Sequence, residues 1–229
     1  MESVCIIIPV KDEEVGLKYL FKNFKNSNFY GKDKISFILV IDGRTSDMSK
    51  NIANSFSDSI IDQNDTHGKG AAVRQALDFW KKNRTDLVIF MDADGSYSFD
   101  DVSEIINALD NDVDVVSGSR FLTKNGAPDG MGYLHNFGNR ILSKISSIRN
   151  RRDISDLCTG LWGFKSQSID KLNLQSKGFD LEAEIAGKCR KANLNHKEIL
   201  VSWSARKGGK SKLKSFRDGA IILFRILKT

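Results

Sequence analysis

Three carboxylates raise the first chemical question. Asp42 closes one apolar run and is followed by Gly43; Asp92 and Asp94 close another, in Met91-Asp92-Ala93-Asp94-Gly95. Residues two apart on a strand point to the same side, so Asp92 and Asp94 present two carboxylates to one space, with Asp42 arriving from a neighbouring strand. Like charges held that close repel and raise each other's proton affinity unless a cation lies between them. A divalent ion resolves this with hard oxygen ligands, and Mg²⁺ or Mn²⁺ completes its shell with phosphate oxygens and water. Asp and Gly after a strand are also ordinary turn formers, and an isolated Asp-x-Asp is common by chance. Its position after an apolar strand, in step with Asp42, describes a nucleotide-diphosphate site at the edge of a sheet.

Other phosphate-binding patterns are weaker. The segment after the first apolar run, Pro9-Val10-Lys11-Asp12-Glu13, has no glycine, which argues against the Gly-rich turn of an NAD or FAD enzyme. Gly68-Lys69-Gly70 lacks the full phosphate-loop spacing and reads as a tight start to the helix near Ala71. His67, His135 and His196 form no metal-ligand spacing and read as exposed or hydrogen-bonded, and Trp162 reads as part of a buried strand. Asp180, Glu182 and Glu184 are candidates for a general base should the acceptor be a hydroxyl; the bland alternative is surface charge on the first turn of a helix.

The elements that must position these groups follow from periodicity. Short apolar runs rich in β-branched residues predict strands at Val4–Ile8, Ile35–Ile41, Leu87–Met91, Val113–Val116, Leu161–Phe164 and Glu198–Trp203. Spacings of three and four predict helices at Glu13–Asn26, Thr45–Phe56, Gly70–Lys82 and Phe99–Leu109. Ser98, with Asp100 and Asp101 behind it, supplies an N-cap oxygen and early negative charge for the last of these. Strands alternating with helices give an α/β fold on a single, mostly parallel sheet, with ligands at the carboxyl ends of the strands. After about Arg120 the texture changes. Glycine-rich loops at Asn125–Gly132 and Ala205–Gly209 each precede a basic amphipathic segment. In the first, Ile141, Leu142, Ile145 and Ile148 share a face; in the second, Leu213, Phe216, Ala220, Leu223, Phe224 and Leu227 do. Such segments either cover a core or dock on a membrane surface.

Taken in order, Ile7-Ile8-Pro9-Val10-Lys11-Asp12-Glu13, Val40-Ile41-Asp42-Gly43-Arg44-Thr45-Ser46-Asp47, Gly68-Lys69-Gly70-Ala71-Ala72-Val73-Arg74 and Asp92-Ala93-Asp94-Gly95 resemble glycosyltransferase family 2, with its GT-A fold. Gly118-Ser119-Arg120-Phe121, Asp156-Leu157-Cys158-Thr159-Gly160, the stretch Phe179 to Glu184 and the stretch Arg206 to Leu213 resemble its dolichyl-phosphate sugar synthase branch. The resemblance implies that Pro9, Lys11, Glu13 and Asp42 line the base and ribose pocket of a UDP- or GDP-linked sugar, with Lys69 beside them. It implies that Asp92, Ala93 and Asp94 hold the diphosphate and its metal, and that Arg120, Arg206, Ser211 and Lys212 meet phosphates of donor or acceptor. Asp94, Arg120 and Arg206 are then the catalytic candidates. The implied reaction is inverting attack by a dolichyl or polyprenyl phosphate oxygen on the anomeric carbon, serving protein or lipid glycosylation; the alternative is a hydroxyl acceptor with Asp180 or Glu182 as base. The chain departs from the family at Lys11 and Asp12, where Tyr and Asn are frequent, and at Ser96, where mannose synthases often have Gln. Base and sugar identity stay open. No Q-x-x-R-W run, the mark of processive polysaccharide synthases, is present.

Composition sets the outer bounds. The 229 residues, with 40% hydrophobic and 28% charged side chains and 2 prolines, suit one sizeable core and exclude disordered, collagen-like and disulfide-scaffold classes. Cys5, Cys158 and Cys189 show no C-x-x-C spacing, which points to a reducing, cytosolic compartment. The first apolar run is too short for a signal peptide, and none reaches the ~20 residues that span a bilayer. Of the net +6, the stretch 206–229 alone carries +7 and residues 1–205 carry −1. The expected organisation is a catalytic unit over 1–205 and a basic, membrane-facing C-terminal segment over 206–229 of the same unit, peripheral on a cytoplasmic membrane face. A nucleic-acid binder would want aromatics interleaved with the basic tail, and these are lacking, so nucleic acid is not an expected partner.

Overall fold

The computed structural model describes residues 2–57, 59–63, 67–122, 130–212 and 215–229. Seven strands, β1 (Val4–Val10), β2 (Ile35–Asp42), β3 (Ile60–Gln63), β4 (Leu87–Phe90), β5 (Val115–Ser119), β6 (Trp162–Lys165) and β7 (His196–Leu200), form one sheet in the order β3-β2-β1-β4-β6-β5-β7. All neighbouring pairs are parallel except the two made by β6, which runs antiparallel to β4 and β5. The helices are α1 (Glu14–Lys25), α2 (Ser49–Asn54), α3 (Lys69–Trp80), α4 (Phe99–Ala108), α5 (Tyr133–Asn150), α6 (Ser166–Leu172), α7 (Leu181–Lys191) and α8 (Ser215–Lys228).

Sequence dictates the layering. In β1, Val4, Ile6 and Ile8 enter the core under α1 and α4, while Cys5 and Ile7 enter the core under α3, as period-two geometry demands of a strand buried on both faces. Ser98 accepts from the Asp101 amide and Asp101 from the Ser98 amide, so the predicted cap of α4 is a reciprocal capping box.

Three departures from expectation stand out. The helix predicted from Thr45 starts at Ser49, because Thr45 donates to the Asp42 carbonyl (2.8 Å) and Asp47 accepts from the Ser49 amide, which keeps the intervening chain in a turn. β3 is an additional edge strand of four residues, Ile60 and Ile61 half-buried and Asp62 exposed, too short and too polar at Asp62 to stand out by pattern. The strand predicted over Glu198–Trp203 ends at Leu200, and the chain then crosses the top of the sheet, with Ser202 donating to Asp101 and Ser204 to the Ser96 carbonyl. That crossing delivers the C-terminal segment to the carboxyl ends of β1 and β4.

Of the two settings open to the amphipathic faces, the fold turns them mostly outward. Helix α5 buries Asn139, Ser143, Ser146 and Asn150 and exposes Tyr133, Leu134, Phe137, Ile141 and Ile148, with Tyr133 82% accessible. Leu142 and Ile145, expected on the same face as Ile141 and Ile148, turn partly inward instead. The inward polar stripe is satisfied: Asn139 bonds Asp156 and the Cys158 amide, Ser143 accepts from the Leu157 amide, and Asn150 donates to Ser146. Helix α8 buries Ile222 and Ile226 against α5 and α7, and exposes Phe216 (83%), Ile221, Phe224 and Leu227. Leu213 and most of the first glycine-rich loop lie outside the described residues. Among the described residues no helix is long and apolar enough to cross a membrane.

Candidate active site

The carboxyl ends of β1, β2 and β4 open into a cavity of about 680 Å³. Pro9, Lys11, Glu13, Asp42, Lys69, Asp92, Ala93, Asp94, Arg120, Arg206, Ser211 and Lys212, all predicted from sequence, line it together.

Asp92 and Asp94 follow β4 as expected, and Gly95, at φ +74°, turns the chain behind them. Asp94 accepts from the Ser96 amide (3.0 Å) and hydroxyl (2.6 Å), which aims its second oxygen at Arg206 (3.2 Å). Asp92 accepts from the Lys69 ammonium at 2.7 Å, and the same ammonium reaches Glu182 at 2.6 Å. The cations that the paired carboxylates require are therefore side chains of this chain. Burial alone would lower the Lys69 pKa, but Asp92 and Glu182 outweigh it and the value is raised; burial raises that of Glu182 more than Lys69 lowers it. The donor set suits a hard divalent ion: two carboxylates face one space, and among the described residues no group of three His, Cys, Asp or Glu forms a complete cage. An ion held by Asp92 and Asp94 would draw the rest of its shell from diphosphate oxygens and water.

Asp42 is not part of that pair. Strand β1 lies between β2 and β4, which puts it roughly 10 Å from the Asp92 strand, two strand spacings away. It lines the other end of the cavity, clamped by Arg44 through Nε (2.9 Å) and Nη2 (2.6 Å). Burial pushes its pKa up, but the Arg44 hydrogen bonds and charge prevail and hold it at about 2.

The segment after β7 lies across the site. Arg206 donates to both oxygens of Glu13 at 2.6 Å, Lys212 donates to the Asp12 carbonyl at 2.9 Å, and the Lys207 amide donates to the Asp94 carbonyl at 3.1 Å. On the opposite wall Arg120 makes a bidentate pair with the fully buried Asp156, at 2.6 and 2.7 Å, and donates to the Cys158 carbonyl. Beyond the charged groups the cavity continues along Met131, Leu134, Gly138 and Leu142 on one side and Gly219 and Ile222 of α8 on the other. This end is mostly apolar, with His135 and Asn139 as its polar lining.

Several partners were missed by sequence reading. Asp156, Arg44 and the Lys69–Glu182 pair all fall inside motifs whose other members drew attention, so their positions were marked but their roles were not. The reading of Asp180, Glu182 and Glu184 as surface charge is overturned, because all three are buried at the start of α7. Asp180 pairs with Arg225 of α8 (2.7 Å) and accepts from Ser176, and it is absent from the cavity wall. Glu184 accepts from the Gln175 and Ser176 amides. Asp180 is thus committed to fastening α8 to α7, and among the described residues each carboxylate that lines the cavity has a basic partner.

Comparison with known proteins agrees with this architecture. The family model "Glycosyl transferase family 2" matches residues 5–172. Glycosyltransferase AglJ of Haloferax volcanii is 28% identical over all of this chain and 73% of its own length. Dolichol-phosphate mannosyltransferase of Pyrococcus furiosus is 25% identical over 93% of this chain, which spans 59% of that protein. UDP-N-acetylglucosamine--dolichyl-phosphate N-acetylglucosaminyltransferase of Methanococcus voltae is 26% identical over 90% of this chain and 89% of its own length. The chain thus spans between about half and three quarters of the first curated relatives it matches. Among solved structures, glucosyl-3-phosphoglycerate synthase of Mycobacterium tuberculosis, in complex with phosphoglyceric acid, superposes with a TM-score of 0.76 over 99% of this chain and 79% of its own at 12% identity, a likeness of fold.

Proposed function

The chain belongs to glycosyltransferase family 2, and on that premise we propose that it transfers a sugar from a UDP- or GDP-linked donor to a dolichyl or polyprenyl phosphate. The observation that carries this reading is the two-part cavity, charged over the strand ends and mostly apolar between α5 and α8. A nucleoside-diphosphate sugar matches the charged half, and an isoprenoid chain with a phosphate head matches both halves at once. The names of the relatives from Pyrococcus and Methanococcus, both dolichyl-phosphate glycosyltransferases, agree.

An acceptor phosphate is already anionic near neutral pH, so the site must place it and shield its charge rather than deprotonate it. Arg120 is suited to this: Asp156 fixes its plane, and burial, which alone would lower its pKa, is outweighed by Tyr97 and Asp156 so that the guanidinium stays charged. Arg206 and Lys212 reach the same space from the crossing segment. Attack of the acceptor oxygen on the anomeric carbon, with the nucleoside diphosphate leaving from the opposite face, inverts that centre. Mg²⁺ or Mn²⁺ on Asp92 and Asp94 would supply electrostatic stabilisation of the diphosphate. Asp42 and Glu13 belong to the nucleoside end, beside Pro9 and Lys11.

Membrane docking completes the reading. An isoprenoid phosphate resides in a bilayer, and the exposed apolar faces of α5 and α8 flank the apolar half of the cavity. A helix that buries serines and asparagines while exposing Tyr133, Phe137 and Ile148 fits a surface seated at an interface. The thiols of Cys5, Cys158 and Cys189 are unpaired, in keeping with a cytoplasmic face.

The test is direct. Purified protein is incubated with UDP- and GDP-sugars, polyprenyl phosphate in vesicles and Mg²⁺ or Mn²⁺, and the lipid fraction is assayed for sugar. A glycosylated lipid phosphate is expected; transfer only to a hydroxyl acceptor would overturn the reading.

A further inference from the structure

Two sequence motifs remote from each other meet at one ammonium. Lys69 opens α3, where the helix dipole disfavours a positive charge, and it is held there by Glu182 at 2.6 Å and Asp92 at 2.7 Å. The two carboxylates differ in kind. The Asp92 side chain is 34% accessible and faces the cavity, whereas that of Glu182 is 8% accessible at the start of α7. The backbone locks the two helix starts together: the Gly70 amide donates to the Gly178 carbonyl and the Ala71 amide to that of Lys177, both at 3.2 Å. A Cβ at Gly68 would lie 2.4 Å from the Lys177 carbonyl oxygen, and one at Gly70 would lie 2.7 Å from that of Ser176. The glycines on either side of Lys69 are thus what allows α3 to abut the loop that carries Glu182.

We infer that Glu182 is a positioning residue for the donor diphosphate, acting through Lys69. Asp92 is the exchangeable partner of the ammonium and Glu182 the fixed one. When Asp92 turns to a ligand-borne cation, Lys69 keeps its place because the buried carboxylate and the Gly-Lys-Gly contact still hold it. The ammonium then stands beside the diphosphate, where negative charge accumulates as the sugar leaves. The assignment rests on the nucleotide-sugar reading of the cavity, and it gives Glu182 a role other than that of a general base.

A double-mutant cycle on ligand affinity tests it, using Glu182→Gln, Lys69→Met and the pair, with UDP or GDP plus Mn²⁺ titrated by calorimetry. Each single change should weaken nucleoside-diphosphate binding by about tenfold, and the pair should be no weaker than Lys69→Met alone. Glu182→Asp should regain part of the loss, since the charge is kept and only its reach is shortened. In turnover, the acceptor KM should be unmoved by Glu182→Gln while kcat falls. Additive losses in the pair would mean that Glu182 touches the ligand itself, and undiminished affinity in Glu182→Gln would mean that it positions nothing; either overturns the proposal. Lys69→Gln, which also removes the charge, replaces Lys69→Met in the cycle should the latter fold poorly, with the same criterion. Failure of the unaltered chain to bind any nucleoside diphosphate would instead overturn the nucleotide-sugar reading, and this assignment with it.

Discussion

Asp94 illustrates how one side chain divides its two oxygens between structure and chemistry. One oxygen is occupied by the amide and hydroxyl of Ser96, and the other faces the cavity and Arg206. Asp94→Asn keeps an acceptor for Ser96 and removes the charge, so kcat should fall by at least about 100-fold, the scale of losing one preorganised electrostatic contact. The melting temperature should move by only a few degrees. Wild-type turnover in that variant would remove Asp94 from the reaction. A second side chain sets a pH limit on stability. The His196 ring stacks on Trp162 and meets Ser117 at 2.8 Å; burial, aided by the charge of Arg152, holds its pKa near 4. The unfolded chain therefore takes up this proton near pH 6.5 while the fold refuses it until about pH 4. Its contribution is complete above pH 6.5 and declines as pH falls, by up to about 1.4 kcal/mol per unit across that window. Denaturant titrations at pH 5 and 7 should show this slope flattened in His196→Gln. Asp42, Asp92 and Asp94 were legible because carboxylates after strands carry a physical signature, whereas the basic residues of the cavity were marked only by the family resemblance. Their partners were not, since nothing in a one-dimensional pattern says that Lys69 meets Glu182 or that Arg120 meets Asp156.

At the scale of elements, close approach decides what the site tolerates. Helix α1 packs on the backbone of the Asp92–Asp94 turn at Gly16, where a Cβ would lie 2.3 Å from the Ala93 carbonyl oxygen. Gly16→Ala gains ~1 kcal/mol of helix propensity but must push the two layers apart at a cost of ~1–3 kcal/mol. Lowered stability and lowered kcat are expected together, measured by melting and initial rates; an unchanged kcat would show that the turn does not depend on α1. Gly219 of α8 is the opposite case, because a Cβ there meets nothing within 4 Å and the residue lines the apolar half of the cavity. Gly219→Leu should leave folding and nucleotide binding intact while raising the KM for a long polyprenyl phosphate, with less effect on a short-chain analogue. Equal effects on both lengths would place the isoprenoid elsewhere. The central strands were legible because each is a continuous apolar run, as burial on two faces requires. The outward setting of α5 was left open: its exposed apolar residues are as periodic as any core face, and only the hydrogen bonds made by Asn139 and Ser143 to residues after Ser155 show which side is inside.

For the molecule as a whole, the cationic C-terminal stretch is less available to a membrane than its count suggests. Of its charges, Arg206 and Lys212 are spent on Glu13 and Asp94, and Arg225 on Asp180. They fasten the crossing segment and α8 to the body of the protein, so three of the eight basic residues of this stretch serve internal neutralisation. What α5 and α8 present outward is chiefly apolar, with Tyr133, Phe137, Phe216 and Phe224 exposed on the flanks of the cavity. Fully burying one such ring is worth roughly 1.5–3 kcal/mol, against about 1 kcal/mol for a basic side chain near an anionic surface, and only the latter is screened by salt. Binding to anionic vesicles should therefore weaken only several-fold between 0.1 and about 0.5 M salt, a range over which the Debye length falls by about half. Phe216→Ser combined with Phe224→Ser should lower the partition coefficient by at least tenfold at either salt concentration. Because neither ring packs in the core, this variant should keep its melting temperature and its affinity for nucleoside diphosphate, and lose turnover only on acceptors held in a bilayer. Sedimentation with vesicles separates the outcomes: full release by salt in the unaltered chain would return the leading role to charge.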